Sequence, residues 1–149
     1  MKFLEVNNLD IEYQTRKETI YASKNVSFNL QRGEIIGIVG ESGSGKSTVA
    51  NAIINLIDKP GIITNGSIKL DGSELRNNAD VIKSIRGKKI GFVFQDPQTS
   101  LNPLFKIKDQ LIETIQTHSN LNYKEAETKS INLLREVGIE NPEKRIDDY

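Results

Sequence analysis

The sequence predicts an α/β fold that also contains a small antiparallel β layer and part of a helical subdomain. Three observations predict it. Two short apolar runs have the continuous hydrophobicity of strands that are buried on both faces. The first run leads through a glycine-rich loop into a helical pattern, and the last third of the chain carries two more amphipathic helical patterns.

Composition places the chain among ordinary globular domains. It has 149 residues, of which 36% are hydrophobic and 27% are charged, which suits one domain with one core. Lysine plus arginine and aspartate plus glutamate each number 20, so no overall field favours nucleic acid or an acidic membrane surface. Cysteine is absent, which excludes disulfides, and no membrane span or signal-peptide pattern is present, so we expect a cytosolic chain.

The first part of the chain is predicted to form the β layer and the strand before the loop. Short, partly alternating segments at residues 3–6, 11–14 and 21–30 are typical of antiparallel strands. Gly33 marks a turn, and EIIGIV at residues 34–39 is the first apolar run. We expect EIIGIV to be a strand that is buried on both faces.

Helical and strand patterns alternate after the loop. Apolar residues from Lys46 onward recur at helical spacing until Lys59-Pro60-Gly61 ends the helix. An alternating strand is predicted at residues 66–72, a short helix at 79–87, and the second buried strand, KIGFVFQ, at 89–95.

Two amphipathic helices are predicted in the last part of the chain, at residues 104–118 and 123–138, with Gly138 in a C-cap position. The single histidine, His118, ends the first of these helices and is expected to lie on the surface. A small basic cluster near the end of the short helix is expected to be a solvated face, because the total charge is neutral. The cluster consists of Lys83, Arg86, Lys88 and Lys89.

The chemistry is concentrated in the loop GESGSGKS, which starts at Gly40 and matches the P-loop pattern G-x-x-x-x-G-K-[ST]. Phosphate oxygens need several backbone N–H donors close together, and Gly40, Gly43 and Gly45 leave room for that approach. The helix that begins near Lys46 adds its positive N-terminal end. Lys46 is expected to place its ammonium between the β- and γ-phosphates, and Ser47 to offer its hydroxyl to Mg²⁺.

Two alternatives for this loop carry less weight. A glycine turn without a ligand would show the same bare pattern, but the strand before it and the helix after it argue for a phosphate site. The dinucleotide pattern G-x-G-x-x-G is not met, because Gly43 and Gly45 are followed by Ser47 and Thr48.

A second candidate site lies where KIGFVFQ ends, in the stretch IGFVFQDPQTSLNPLF. Gln95 closes the predicted strand, and a side-chain amide there can reach both Mg²⁺ and an attacking water. Two alternatives remain open: Asp96 as the metal carboxylate of a Walker B strand, and Gln95 as an ordinary polar residue at a strand end. Gln95 interrupts the Walker B pattern, in which the acidic residue follows the apolar run directly.

With GESGSGKST, NGSIKLDG, GFVFQDPQTSLNP and RIDDY in this order and spacing, the chain resembles the ATP-binding subunit of ABC transporters over essentially its whole length. The form QDPQTSLNP is similar to that of the importer branch for dipeptides, oligopeptides or nickel. The resemblance implies a P-loop ABC ATPase core with ATP and Mg²⁺ as cofactors. It also implies a parent protein that hydrolyses ATP to drive import.

The resemblance assigns roles to individual residues. Lys46 and Gln95 would be catalytic, Ser47 and Gln95 would hold Mg²⁺, and Gln95 would be the Q-loop residue that ties nucleotide state to the membrane subunits. Tyr13 is the best match to the aromatic residue that stacks on adenine, with Tyr21 in reserve; the alternative is that Tyr13 only packs the β layer. The phosphate-binding positions would be Gly40, Ser42, Gly43, Ser44, Gly45, Lys46, Ser47 and Thr48.

Partners and location follow from the same resemblance. Transmembrane permease subunits would dock on the Q-loop region, around residues 95–118, and a second ABC ATPase subunit would close head to tail around ATP. No nucleic-acid partner is expected. The chain would be cytoplasmic and peripheral on the inner face of the cell membrane. The alternatives are a soluble ABC ATPase without membrane subunits and a P-loop kinase.

An LSGGQ-type signature, a strand ending in Asp-Glu and a switch histidine, which the family carries, do not occur in the sequence. We therefore expect residues 1–95 to be the N-terminal part of the nucleotide-binding core, and residues 96–149 to be the Q-loop and an incomplete helical subdomain, truncated before the signature. Such a chain would bind nucleotide at best and would not hydrolyse it alone. EIIGIV would lack the strand that normally covers its edge.

We expect Lys46→Ala to weaken binding of nucleotide without unfolding the chain, because the ammonium meets phosphate charge and not the core. Calorimetric titration with Mg-ATP measures the affinity. Equal affinity of the wild type and the variant would contradict the assignment.

Overall fold

The computed structural model describes residues 2–96 and 100–149, which form two compact units that divide between Ile90 and Gly91. Among the described residues, the first unit holds a β-sheet and two helices, and the second unit holds three helices. The candidate phosphate loop belongs to the first unit.

A four-stranded antiparallel sheet forms the β layer, with the strand order β2-β1-β3-β4. The strands are β1 (Lys2–Gln14), β2 (Thr19–Gln31), β3 (Gly61–Leu70) and β4 (Ser73–Glu74). The predicted antiparallel layer is confirmed, but its first two segments are one continuous strand. Irregular pairing near Asn8, whose φ is +47°, absorbs the break between the two sequence patterns.

The core of the first unit is formed by the sheet together with helices α1 (Lys46–Ile53) and α2 (Ala79–Ile85). Its buried side chains are Val6, Leu9, Ile11, Val49, Ala52, Ile68, Leu70, Leu75, Ile82 and Ile85. Removing these aliphatic groups from water is the main favourable term in folding this unit. The same packing fixes α1, and therefore the loop in front of it.

Helix α1 begins at Lys46, as predicted, but it ends at Ile53 and not near Lys59. Ile54 is the C-cap, and Asn55 has a φ of +53°, a left-handed conformation that stops the helix. Apolar residues continue at helical spacing through Ile57, so periodicity alone did not locate the end.

The predicted basic face is only partly solvated. Its three lysines are exposed, whereas Arg86 is half-buried and donates hydrogen bonds to the carbonyls of Ile54 and Asn55. The expectation of a solvated cluster is therefore wrong for Arg86. The spacing of charges could not reveal this role, because Ile54 lies 32 residues away along the chain.

Neither apolar run forms the buried strand that the sequence predicts. Within residues 2–96 and 100–149, EIIGIV takes part in no strand ladder, and KIGFVFQ takes part only in an isolated bridge at Ile90. Ile35 and Val39 are each 96% exposed. The physical reason is that a buried strand needs neighbours on both edges and both faces, and no described strand pairs with EIIGIV.

The second unit consists of α3 (Ile107–His118), α4 (Tyr123–Glu136) and the short α5 (Pro142–Arg145) within the described range. Both predicted helices are confirmed, and α5 was not predicted. Gly138 has a φ of +81° and closes α4 as expected, and His118 is exposed at the end of α3. None of the helices in the described ranges is long and apolar enough to cross a membrane.

The segment after α5 is fastened to the start of α3. The backbone N–H groups of Ile107 and Lys108 donate to carbonyls of this segment, each at 2.9 Å. The Asp147 carboxylate lies 2.7 Å from the Lys108 ammonium and 3.3 Å from that of Lys106. Hydrogen bonds from Lys108 and Lys106 lower the pKa of Asp147, and the same contact with Asp147 raises the pKa of Lys108.

We expect Asp147→Asn to lower the stability of the second unit at neutral pH and to have little effect in acid. Folding lowers the pKa of Asp147, so its carboxylate stabilises the unit above the ordinary aspartate pKa, and this contribution is lost as the pH falls through the lowered value. The effect is small because the ion pair is exposed.

Thermal unfolding followed across the acidic and neutral range measures this difference. Asp148→Asn is the matched control, since its carboxylate pairs with Arg145, three residues earlier. A loss from Asp147→Asn that is the same at every pH would contradict the role of the ion pair.

Candidate phosphate-binding site

The glycine-rich loop stands at the N-terminus of α1. Gly45 is the N-cap of the helix and Lys46 is its first residue. The first N–H groups of a helix have no partner within it, and they carry the positive end of the helix dipole. The first turn of α1 contains no acidic side chain, so no carboxylate of that turn competes for these donors. The arrangement suits an anion such as phosphate.

Gly45 is required by a backbone contact between the loop and β2. Its φ is +86°, in the left-handed region, and a Cβ at this position would lie 2.0 Å from the carbonyl oxygen of Ala22. No side chain fits unless the loop moves away from the strand. Glycine at this position therefore allows the loop to contact β2 at a distance that any side chain would prevent.

The loop closes around the ammonium of Lys46. The Nζ atom donates hydrogen bonds to the carbonyl of Gly40 at 2.8 Å, the carbonyl of Glu41 at 2.5 Å and the hydroxyl of Ser44 at 3.3 Å. These three acceptors hold the cation at the start of α1, where the side chain is half-buried. Phosphate oxygens are acceptors of the same kind and carry charge, so they can replace the carbonyls.

A cleft of about 350 Å³ lies between the loop and the β layer. It falls within the range of about 300–1,000 Å³ that is usual for small-molecule sites. The lining comes from β1 and β2 on one side and from the loop and α1 on the other: Tyr13, Ile20, Tyr21, Ala22, Gly43, Gly45, Lys46, Ser47 and Thr48. Both tyrosines singled out in the sequence thus lie beside the loop.

The strand register gives the two tyrosines different cross-strand partners. Tyr13 lies opposite Ile20, whereas Tyr21 lies opposite Glu12, and directly opposite residues share a face of the sheet. The Tyr13 ring also packs closely on Gly61, where a Cβ would lie 2.8 Å from its Cε1 atom. Tyr13 is therefore held in place by β3, while Tyr21 is 63% exposed.

The remaining predicted residues are placed as follows. Ser42 and Ser47 are exposed, and Thr48 is half-buried. Gln95 is exposed in the second unit, and residues 97–99 of the QDPQTSLNP stretch lie outside the described residues. No group of three or more His, Cys, Asp or Glu side chains within the described ranges is placed to hold a metal. The metal roles of Ser47 and Gln95 stay predictions.

Of the residues of β2 near the site, sequence reasoning named only Tyr21 and missed the others. Ile20 and Ala22 line the cleft, and Ser23 lines a second cavity of about 560 Å³ that the loop also lines. Ser23 is buried, and within the described part of the chain its hydroxyl has no hydrogen-bond partner. The available signal was the pairing of IEYQ with the strand that follows it, because the two strands of one hairpin are neighbours.

A family model described as ABC transporter matches residues 23–149. The chain belongs to the ABC transporter family. Its curated relatives include the oligopeptide transport ATP-binding protein OppD of Bacillus subtilis (strain 168), which is 40% identical over 99% of this chain and 42% of its own length. The dipeptide transport ATP-binding protein DppD of Haemophilus influenzae is 37% identical over 100% of this chain and 46% of its own length. The chain thus spans less than half of each relative.

Solved structures of ABC proteins support the predicted α/β P-loop fold. A dimeric ATP-binding cassette in a post-hydrolysis state, bound to ADP and Pi, matches with a TM-score of 0.83 and 30% identity, over 97% of this chain and 60% of that one. The cbiO1 protein from Clostridium perfringens, part of the ABC transporter complex cbiONQ, matches with a TM-score of 0.68 and 27% identity, over 99% of this chain and 54% of that one. The fold of this ABC chain therefore agrees with the prediction.

We expect Gly45→Ala to destabilise the first unit by more than Gly43→Ala, which costs about 1 kcal/mol from left-handed strain alone. Both glycines have a positive φ, of +86° and +81°, but a Cβ on Gly43 would meet nothing within 4 Å. The difference between the two variants isolates the collision with Ala22. Denaturant unfolding measures it, and equal losses would contradict the contact.

Proposed function

We propose that this chain is the ATP-binding part of an ABC-type ATPase that energises import of peptides. The observation that carries the proposal is the P-loop at the start of α1, with the Lys46 ammonium at its centre and a tyrosine-lined cleft beside it. The family match and the names of the two peptide-transport relatives support it. Nickel, the other substrate suggested by the sequence, stays a prediction.

The phosphates of ATP would lie on the N-terminus of α1. The free N–H groups of the first turn would donate to phosphate oxygens, and Lys46 would exchange its bonds to the Gly40 and Glu41 carbonyls for bonds to phosphate. Ser47 and Gln95, both exposed residues, would hold Mg²⁺. Bound Mg²⁺ would neutralise charge on the phosphates and orient them.

The adenine ring would enter the cleft and stack on Tyr13. Stacking needs an aromatic face that is held still, and the contact with Gly61 supplies this for Tyr13. Ile20, on the same face of the sheet and 49% exposed, would flank the base. Tyr21, paired with Glu12, would contribute less.

Hydrolysis and coupling belong to the whole transporter. We propose that residues 1–95 are part of the nucleotide-binding core and that residues 96–149 carry the Q-loop and part of the helical subdomain. Gln95 would orient the attacking water and link the nucleotide to transmembrane permease subunits docked around residues 95–118. A second ABC ATPase subunit would close on the first, as the dimeric state of the matched cassette suggests, on the inner face of the membrane.

A soluble ABC ATPase and a P-loop kinase are less well supported. The named relatives are transport proteins for oligopeptides and dipeptides, which favours a transporter. A kinase would need an acceptor site and a lid rich in arginine, and the sequence offers no arginine-rich segment that could form one.

The test is calorimetric titration of the chain with Mg-ATP, with phosphate release followed in the same sample. We expect saturable binding, and we expect Tyr13→Leu to weaken it by roughly tenfold or more, since base stacking on an aromatic ring contributes about 1–3 kcal/mol. Tyr21→Leu is the comparison variant, with a change of about twofold or less expected because Tyr21 pairs with Glu12 and is 63% exposed, so its ring is not held in place as that of Tyr13 is.

Two further variants complete the design. Lys46→Ala tests the phosphate site, and Lys69→Ala, an exposed lysine on β3, controls for loss of a positive charge. Failure of the wild-type chain to bind Mg-ATP would contradict the proposed function. Binding that Tyr21→Leu weakens more than Tyr13→Leu would reverse the assignment of the adenine contact.

A further inference from the structure

We propose that Arg86 is a positioning residue for the phosphate site and acts through helix α1. The inference rests on the proposed function. Arg86 is not among the residues that line the cleft beside the P-loop. Its guanidinium lies instead at the opposite end of the helix whose N-terminus would hold the phosphates.

The contact is made by three hydrogen bonds. Arg86 donates from Nε to the Ile54 carbonyl at 2.9 Å, and from Nη2 to the same carbonyl at 2.5 Å and to the Asn55 carbonyl at 2.8 Å. A guanidinium is planar and presents its donors in a fixed fork, so such a contact fixes direction as well as distance.

Helix α1 cannot supply this anchor from its own sequence. It has 8 residues and no basic residue in its last turn. Isolated helices shorter than about 12–15 residues are marginal in water, and the carbonyls at a helix C-terminus carry the negative end of the dipole. Arg86 brings a cation and three donor contacts to that end from 32 residues away.

The anchor is itself held by the core. Arg86 is the C-cap of α2, and its backbone N–H donates to the Ile82 carbonyl at 3.1 Å. Ile82 and Ile85, in the helix just before it, are buried. The guanidinium therefore connects the C-terminal end of α1 to α2, a helix that is itself packed in the core.

The position of this end decides where the phosphate donors point. Gly45 holds the N-terminal end of α1 against the Ala22 carbonyl, and Val49 and Ala52 hold its side in the core. Without the contact from Arg86, the last turn can fray and the axis can tilt, which moves the N–H groups of the first turn. In catalytic sites, a misplacement of about 1 Å can cost on the order of a hundredfold in reaction rate, which shows how strongly a site depends on the position of its groups.

Arg76 provides a matched control. It is also half-buried, and it donates to the carbonyls of Gly66 at 2.7 Å and Ile63 at 2.9 Å. Both acceptors lie in β3, and neither belongs to α1 or its C-cap. Loss of either guanidinium removes charge-assisted hydrogen bonds to backbone carbonyls. Of the two arginines, only Arg86 donates to the C-terminal end of α1.

The experiment measures the dissociation constant of Mg-ATP for the full chain and for four variants, at a temperature where circular dichroism shows each one folded. The variants are Arg86→Lys, Arg86→Gln, Arg76→Lys and Arg76→Gln. We expect Arg86→Gln to weaken binding of Mg-ATP about tenfold. Arg86→Lys should have an affinity between those of the wild type and Arg86→Gln, because lysine keeps the positive charge but not the forked donors of the guanidinium. Both Arg76 variants should change the affinity by less than about twofold.

If Arg86 had a purely structural role, the Arg86 variants and the Arg76 variants would both have a lower unfolding temperature, and the affinity of each folded variant for Mg-ATP would be unchanged. Wild-type affinity in the folded Arg86 variants, or an equal loss in the Arg76 variants, would overturn the inference while leaving the proposed function intact. Should Arg86→Gln not fold, Arg86→Lys carries the comparison. A wild-type chain that binds no Mg-ATP would overturn the proposed function and this inference with it.

Discussion

The contact between the backbone of Gly45 and the carbonyl of Ala22 is the constraint on which the candidate site depends. A Cβ at Gly45 would lie 2.0 Å from that oxygen, so the loop and β2 approach too closely for any side chain at this position. This approach creates the cleft, because it brings the hairpin end of the β layer to the start of α1. Tyr13 and Lys46 then line the same cleft, although their positions in the sequence are 33 apart.

Helix α1 is short, and contacts with other parts of the first unit hold it at both ends. Its N-terminus offers free N–H donors and a lysine held by loop carbonyls, and its C-terminus receives the guanidinium of Arg86. The charges follow the dipole, since the negative end meets a cation and the positive end is left for an anion. Binding of phosphate and stability of the helix are therefore linked through the same eight residues.

The second unit combines buried apolar side chains, among them Ile112, Ala126 and Ile146, with exposed polar contacts. A capping box at Asn122 and Glu125 starts α4, and the Asp147 carboxylate joins the segment after α5 to two lysines at the start of α3. Such contacts are individually weak and respond to pH and salt. In the first unit, by contrast, aliphatic burial fixes α1, and the loop in front of it is held by the backbone contact of Gly45 and by the hydrogen bonds of Lys46.

The sequence by itself determined where the candidate site lies and where several of the local elements form. Glycine spacing and a following helix located the P-loop, apolar periodicity located α3 and α4, and Gly138 marked the end of α4, because these signals depend on neighbouring residues. Tertiary structure decided the rest. EIIGIV is apolar yet exposed, since burial depends on what covers a strand and not on its composition. Arg86 donates hydrogen bonds to the C-terminal end of α1, 32 residues away in the sequence. Ile20 lies beside Tyr13 only because of the strand register. Contacts between distant positions leave no periodic trace in the sequence, so only the folded chain reveals them.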